Sequence, residues 1–174
     1  MSEDIHMGLP LEIGQEVPNV DLPTLVDGKF VNLNTKEQFA GKRVIIFSLP
    51  GAFTPTCSNN QLPGFEEKYS EFQEKGIDEI YCLSVNDSFV MTAWFEFKGI
   101  VNVKPLADGN GEFTHKIGAE CKKSNVGFGY RSWRYALVLN DGKVEQMFIE
   151  EGFEDNIETD PFEVSSAEYV LDSI

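Results

Sequence analysis

The segment Val44-Ile45-Ile46-Phe47-Ser48-Leu49-Pro50-Gly51-Ala52-Phe53-Thr54-Pro55-Thr56-Cys57-Ser58 carries a strand, a stiffened loop and the approach to a helix. Its first part is apolar but for one serine and rich in β-branched side chains, the pattern of a strand covered on both faces. Pro50-Gly51 ends it. Beyond the loop, Leu62, Phe65, Tyr69 and Phe72 fall at helical spacing, and Gly76 closes that helix. A strand feeding a helix in this way puts residues 50–57 at the strand's carboxyl end, where α/β proteins build their sites.

Outward from this unit the alternation repeats. A second buried run, Ile80-Tyr81-Cys82-Leu83-Ser84-Val85, is followed by Asn86-Asp87 as a cap. Phe89, Val90, Ala93, Trp94 and Phe97 then form the apolar face of an amphipathic helix ending near Gly99. Residues 103–107 read as a third strand and residues 113–117 as a short helix. Toward the N-terminus, residues 20–31 read as a hairpin broken at Asp27-Gly28, and Thr35 caps a short helix ending at Gly41. Toward the C-terminus, residues 135–139 and 144–149 flank the hairpin turn Asn140-Asp141-Gly142, and Ser165 and Ser166 open a last helix. This order predicts an α/β protein of thioredoxin-like fold, a central mixed β-sheet flanked by helices.

The length of 174 residues predicts a single domain, residues 1–174, with a substantial core. The 14 Lys+Arg against 29 Asp+Glu give a formal charge of −15, but 14 Phe and a 41% apolar fraction exclude a disordered acidic tail protein. A pI near 4.4 argues against nucleic acid as a partner, and an anionic membrane would repel such a surface. No stretch approaches the roughly 18 apolar residues of a transmembrane helix. Residues 1–14 lack the basic region and apolar core of a secretory signal. Cysteines at 57, 82 and 121 are too few and scattered for a disulfide framework, so a reducing, cytoplasmic setting is expected. Ten of the acids and no Lys or Arg fall in residues 145–174, which reads as a solvated acidic face.

Chemistry concentrates at Cys57. The unpaired N–H groups and positive end of the helix favour an anion there, so a thiolate is stabilised. Pro50 and Pro55 each fix one φ and stiffen the loop. Three classes of activity use such a cysteine. A dithiol oxidoreductase needs Cys-x-x-Cys, but Thr54 stands where the partner belongs. A cysteine protease needs a histidine base, and the chain has only His6, near the N-terminus, and His115. A peroxidase needs no base once the thiolate exists. It needs a hydroxyl to orient the peroxide, which Thr54 supplies one turn away, and a cation beside the sulfur.

Pro50, Thr54 and Cys57 match the P-x-x-x-T-x-x-C pattern of peroxiredoxins, and residues 49–58 resemble the type II, peroxiredoxin-5-like branch of the AhpC/TSA superfamily. The resemblance extends through Leu62-Pro-Gly-Phe65, Ser84-Val-Asn-Asp87, Ala107-Asp-Gly-Asn-Gly111, Gly127-Phe-Gly129, Arg134-Tyr-Ala-Leu137 and Asp160-Pro-Phe-Glu-Val-Ser165. It is also similar to the peroxiredoxin half of bacterial fusions with glutaredoxin, although no Cys-Pro-x-Cys segment of such a domain follows here. The family places an arginine beside the nucleophile, on a strand after a Gly-rich turn, and the matching residue is Arg134. Arg131 is a neighbour able to assist. The resemblance therefore implies that Cys57 attacks a peroxide oxygen, Thr54 orients it, Arg134 stabilises the charge and Pro50 shields the thiolate from water. No cofactor or metal is implied. A redox-sensing protein of the same fold with little turnover remains the alternative.

The branch contains one-cysteine and two-cysteine members. Cys82 matches the second cysteine of plant type II enzymes and is the candidate resolving residue. Cys121, followed by two lysines and read as exposed, is a weaker one. Otherwise glutathione with glutaredoxin, or thioredoxin, reduces the sulfenic acid directly. Gln61 stands where many relatives carry histidine, and on this reading the chemistry does not depend on it. The resemblance also implies a homodimer formed through the face bearing the active-site loops.

Overall fold

The computed structural model describes residues 9–174. A hairpin of β1 (Asp21–Val26) and β2 (Lys29–Asn34) leads into α1 (Thr35–Phe39). Its turn is Asp27-Gly28, with φ of 51° and 79°. Positive φ at both central residues is what a type I′ turn requires, and an Asp-Gly pair supplies it at low cost. The helix cap falls one residue earlier than the sequence suggests. Asn34 accepts from Glu37 N (3.0 Å), whereas the Thr35 hydroxyl is buried, accepting from Val20 N and donating to Pro18 O.

Next come β3 (Arg43–Ser48), a π-helical turn over Cys57–Gln61, α2 (Leu62–Glu67), α3 (Tyr69–Glu74), β4 (Glu79–Ser84), α4 (Ser88–Lys98), β5 (Lys104–Ala107) and α5 (Glu112–Lys116). A small ladder of β6 (Glu120–Lys122) and β7 (Tyr130–Ser132) precedes the hairpin β8 (Tyr135–Asn140) and β9 (Lys143–Ile149), and α6 (Ala167–Ser173) closes the chain. The central sheet runs β5-β4-β3-β8-β9, parallel from β5 to β3 and antiparallel from β3 to β9.

Alternation along β3 sorts the core into two layers. Ile45 and Phe47 point to Phe65, Phe72, Trp94 and Val170, from α2, α3, α4 and α6. Val44 and Ile46 point to Phe39, Tyr81, Phe113 and Leu137, beneath α1 and α5. The ring of Phe47 stacks on Phe65 at 4.1 Å and Phe65 on Phe72 at 5.6 Å, tying the sheet to the helices that follow Cys57.

Three further expectations are corrected. The helix read from Leu62 to Gly76 is two helices broken at Lys68 and preceded by the π-helical turn. In α4 the buried face is Met91, Trp94 and Phe95, whereas Phe89 and Phe97 are exposed. That helix is apolar on two sides, so its spacing alone does not choose a face. At the C-terminus only Ser166 caps α6, accepting from Tyr169 N. Ser165 is fully buried and bonded elsewhere.

Replacing Phe65 with Ala removes the middle ring of the stack and should destabilise the fold by about 3–5 kcal/mol. Urea unfolding followed by circular dichroism reads this directly.

Candidate active site

The loop after β3 is fixed from three directions. Arg131 donates from Nη1 to Pro50 O (3.0 Å) and from Nε to Phe128 O (3.1 Å). Its guanidinium approaches so closely that a Cβ at residue 51 would lie 2.6 Å from Nη1, so a side chain there would push the guanidinium from its place. Ala52 N donates to Asn86 Oδ1 (3.0 Å), itself held by Ser84 Oγ at the end of β4. Phe53 takes a left-handed φ of 65°, a strained conformation for a bulky residue that turns the chain toward Thr54. Thr54 Oγ1 donates to Gly51 O (2.7 Å), and Thr54 O accepts from Ser58 N (2.9 Å). Ser58 Oγ accepts from Trp94 Nε1 (2.8 Å), which pins the start of the helical segment to α4.

Cys57, the first residue of that segment, is 1% exposed. Arg134 meets it from the link before β8, with Nη1 at 3.6 Å from Sγ. Arg134 occupies the link between β7 and β8 rather than a strand, and it is 2% exposed. Nη1 also donates to Gln61 Oε1 (2.5 Å), and Nη2 donates to Asp160 Oδ1 (2.6 Å). Phe162 covers the guanidinium at 5.6 Å. Burial works to lower the Arg134 pKa, but the negative charge of Cys57 and Asp160 outweighs it and the net direction is up. This cation stays charged. Burial likewise works to raise the Asp160 carboxyl, and Arg134 together with a hydrogen bond from Thr56 carries it below its ordinary value.

Pro50, Thr54 and Arg134 line one pocket of about 190 Å³, so three of the four residues expected in the site share a wall. The fourth, Cys57, lies against Arg134 just behind it. Arg131 does not bond the sulfur. It buttresses the loop.

Residues 12–171 match the Redoxin family model. The chain belongs to the redoxin family. It is 61% identical over 137 residues to a peroxiredoxin of Rhizobium etli, covering 79% of this chain and 76% of that protein. It is 48% identical over 158 residues to the hybrid peroxiredoxin hyPrx5 of Haemophilus influenzae, covering 91% of this chain and 64% of that protein. Among solved structures, reduced Prx3 of Vibrio vulnificus in complex with hydrogen peroxide superposes with a TM-score of 0.85 at 39% identity, covering 94% of this chain and 98% of that one. Within the family these relatives make it a type II peroxiredoxin of the AhpC/TSA superfamily, with the thioredoxin-like fold. A peroxiredoxin is a thiol peroxidase with an antioxidant role, and this chain is such an enzyme.

The structure changes the account of several other residues of this peroxiredoxin. Gln61 is fully buried, joins Arg134 to Ser48 O through Oε1 and Nε2, and is part of the site rather than a bystander. Cys82 faces the core of β4 opposite Phe47, where burial, then the charge of Cys57, pushes its thiol well above the ordinary range. Cys121 is not exposed. It is 1% accessible, opposite Arg131 in the β6–β7 ladder, and burial pushes its thiol to about 11. All three cysteines are free. His115 is on the surface, paired with Glu120 (3.3 Å), and His6 lies outside the described residues.

The acidic C-terminal stretch is more than a solvated face. Glu150, 3% exposed, accepts from Glu163 N, Ser165 N and Ser165 Oγ, clamping the loop that carries Asp160. Asp160 stands in a matched motif, but nothing local in the sequence marks it as the partner of Arg134.

Two outcomes are expected. Gln61→Leu strands one guanidinium hydrogen bond and should cost about 1.5–3 kcal/mol in urea unfolding. At pH 8 the Cys121 thiol, with its pKa near 11, is protonated, and Cys82 is shifted well upward too. Peptide mapping after iodoacetamide should therefore find neither alkylated in the native fold, with Cys121 labelling as pH rises past 10. Because the unfolded thiol ionises near its ordinary value of 9.0, stability should also fall between about 9 and 11.

Proposed function

We propose that this peroxiredoxin reduces hydrogen peroxide and alkyl hydroperoxides through Cys57 and is recycled by an external thiol. The observation that carries the reading is the 3.6 Å contact between Arg134 Nη1 and Cys57 Sγ, made behind a pocket walled by Pro50 and Thr54. A permanent cation at that distance stabilises the charge that builds on the departing oxygen. The solved relative from Vibrio vulnificus holds hydrogen peroxide, which supports the substrate class.

The Thr54 hydroxyl proton is committed to Gly51 O, so its lone pairs face outward to accept from a peroxide O–H. Cys57 Sγ attacks one peroxide oxygen, the O–O bond breaks, and the departing alkoxide takes up a proton to leave as alcohol or water. Cys57 becomes a sulfenic acid. Pro50 keeps bulk water off the sulfur. Excess peroxide carries the sulfenic acid on to sulfinic acid.

The position of Cys82 supports resolution by an external thiol. It is fully buried, paired with Phe47 on one side and Pro105 on the other, with its thiol held protonated. A bridge to Cys57 needs specific sulfur geometry, and a thiol fixed inside the ladder has little freedom to adopt it. An entering thiol, from glutathione with glutaredoxin or from thioredoxin, instead displaces water from the sulfenic acid to give a mixed disulfide. A second thiol then releases Cys57 and leaves as the disulfide. The exposed pairs Phe53–Phe97 and Phe30–Phe89 near the loop supply an apolar face for the expected homodimer.

Cys57→Ser should abolish peroxide consumption, and Arg134→Met should slow the oxidation step by about 10²–10³-fold. Cys82→Ser should keep turnover with external thiol. A Cys57–Cys82 disulfide in the mass spectrum after one equivalent of peroxide would overturn the external route. Peroxide consumption that survives Cys57→Ser would overturn the peroxidase reading.

A further inference from the structure

The pocket beside Cys57 is larger than hydrogen peroxide requires. It holds about 190 Å³, whereas a water's share of liquid volume is about 30 Å³. Val126, Phe128 and Ile157 give it apolar walls, and two cations face it, Arg134 and Lys123. These cations are in different situations. Arg134 is committed to Cys57, Gln61 and Asp160. Lys123 is 9% exposed, yet its Nζ has no hydrogen bond or ion pair among the described residues.

The backbone holds Lys123 in place. Its N donates to Gly129 O (2.6 Å), and its O accepts from Phe128 N (3.0 Å), closing residues 123–129 into a loop on the pocket wall. Its charge reaches across the pocket, since Lys123 adds to the Arg134 and Thr56 effects that offset burial and lower the Asp160 carboxyl. The side chain is buried along its length while its ammonium, without a contacting counter-ion, meets the solvent of the pocket, where an anion can pair with it. Asp160 does not supply that contact, because its ion pair is with Arg134 (2.6 Å). Glu158 is on the rim, exposed and outside ion-pair distance. The space and the charge together call for a ligand longer than a peroxide and negative at one end.

We propose that Lys123 is an anion subsite of the peroxide pocket, taking the carboxylate of a small organic molecule whose reactive end reaches Cys57. The apolar walls pack its carbon chain. The inference rests on the peroxidase reading of Cys57. Two molecules share this chemistry, a carboxylated hydroperoxide in the oxidising step and a carboxylated thiol in the reducing step.

Single-turnover kinetics separate them, with the fluorescence of Trp94, bonded to Ser58 next to Cys57, as the signal. The oxidation arm compares 3-hydroperoxy-3-methylbutanoate with tert-butyl hydroperoxide. The reduction arm compares 3-mercaptopropionate with 2-mercaptoethanol on the sulfenic acid. The readout is the ratio of the charged to the uncharged rate, which divides out any general effect of a substitution on folding. In Lys123→Met that ratio should fall about five- to tenfold in one arm, and Lys123→Arg should restore most of it. A fall in the oxidation arm assigns the subsite to the hydroperoxide, and a fall in the reduction arm assigns it to the thiol. Ratios within about twofold of the wild type in both arms would overturn the subsite. Failure of the peroxidase reading shows differently, as wild-type protein whose Cys57 is not oxidised by any of the peroxides.

Discussion

A guanidinium buried beside a thiol is the constraint around which the rest of this peroxiredoxin is arranged. Taking a cation out of water costs several kcal/mol after relaxation unless acceptors replace the lost hydration. Arg134 finds them on two separate elements: Cys57 and Gln61 at the two ends of the π-helical turn, and Asp160 on the C-terminal loop. The chemistry of each acceptor matters. Asp160 neutralises one edge of the guanidinium, so a second carboxylate at residue 61 would leave little positive charge for the sulfur. A neutral amide accepts the hydrogen bond and leaves that charge in place. Gln61 is therefore suited to the position in a way that its description as an uncharged substitute for histidine does not capture.

The same constraint explains the C-terminal acids. An ion pair with Arg134 is useful only if the loop carrying Asp160 is held still, and a loop of that length would otherwise sample many conformations. Glu150 does the holding. Its carboxylate gathers two backbone N–H groups and the Ser165 hydroxyl, while its own backbone N–H donates to Arg134 O. One residue thus joins the strand, the loop and the arginine. Across the pocket, Arg131 and Asn86 perform the corresponding task for the loop bearing Thr54. Both walls are positioned by groups that do not touch the sulfur.

What was legible in the sequence was what local pattern encodes. The runs at β3 and β4 are apolar on both faces because both faces are covered, and the two Asp-Gly turns carry positive φ at both central residues. Pro50, Thr54 and Cys57 lie within one short segment, whereas Arg134 is placed by the family resemblance, aligned on the hairpin that follows it. What was not legible depends on partners distant in sequence. Cys121 sits between charged neighbours and reads as exposed, but pairing with a three-residue strand through a Gly-rich turn buries it. The buried face of α4 is chosen by what it packs against, β5, β1 and the Ser58 hydroxyl that Trp94 bonds, since the helix offers two apolar faces. Glu150, Asp160 and Lys123 look like ordinary surface charges until the loops that carry them are folded onto the site.

Charge acts on this enzyme at two ranges, and the ranges oppose each other. The formal charge of −15 sets a field that repels anions at a distance, but at physiological salt that field decays over a Debye length of about 8 Å. Inside the pocket, screening is weak and individual groups prevail. A neutral peroxide is indifferent to both ranges. An anionic molecule is slowed on approach and then met by Lys123 and the arginine-bearing wall, so its encounter rate and its bound lifetime respond to different parts of the protein. A surface built this way discriminates by approach as well as by fit. On the subsite proposed above, it would admit small uncharged oxidants freely and select among charged ones by whether their negative end can reach Lys123, the pocket cation without a hydrogen bond or ion pair among the described residues.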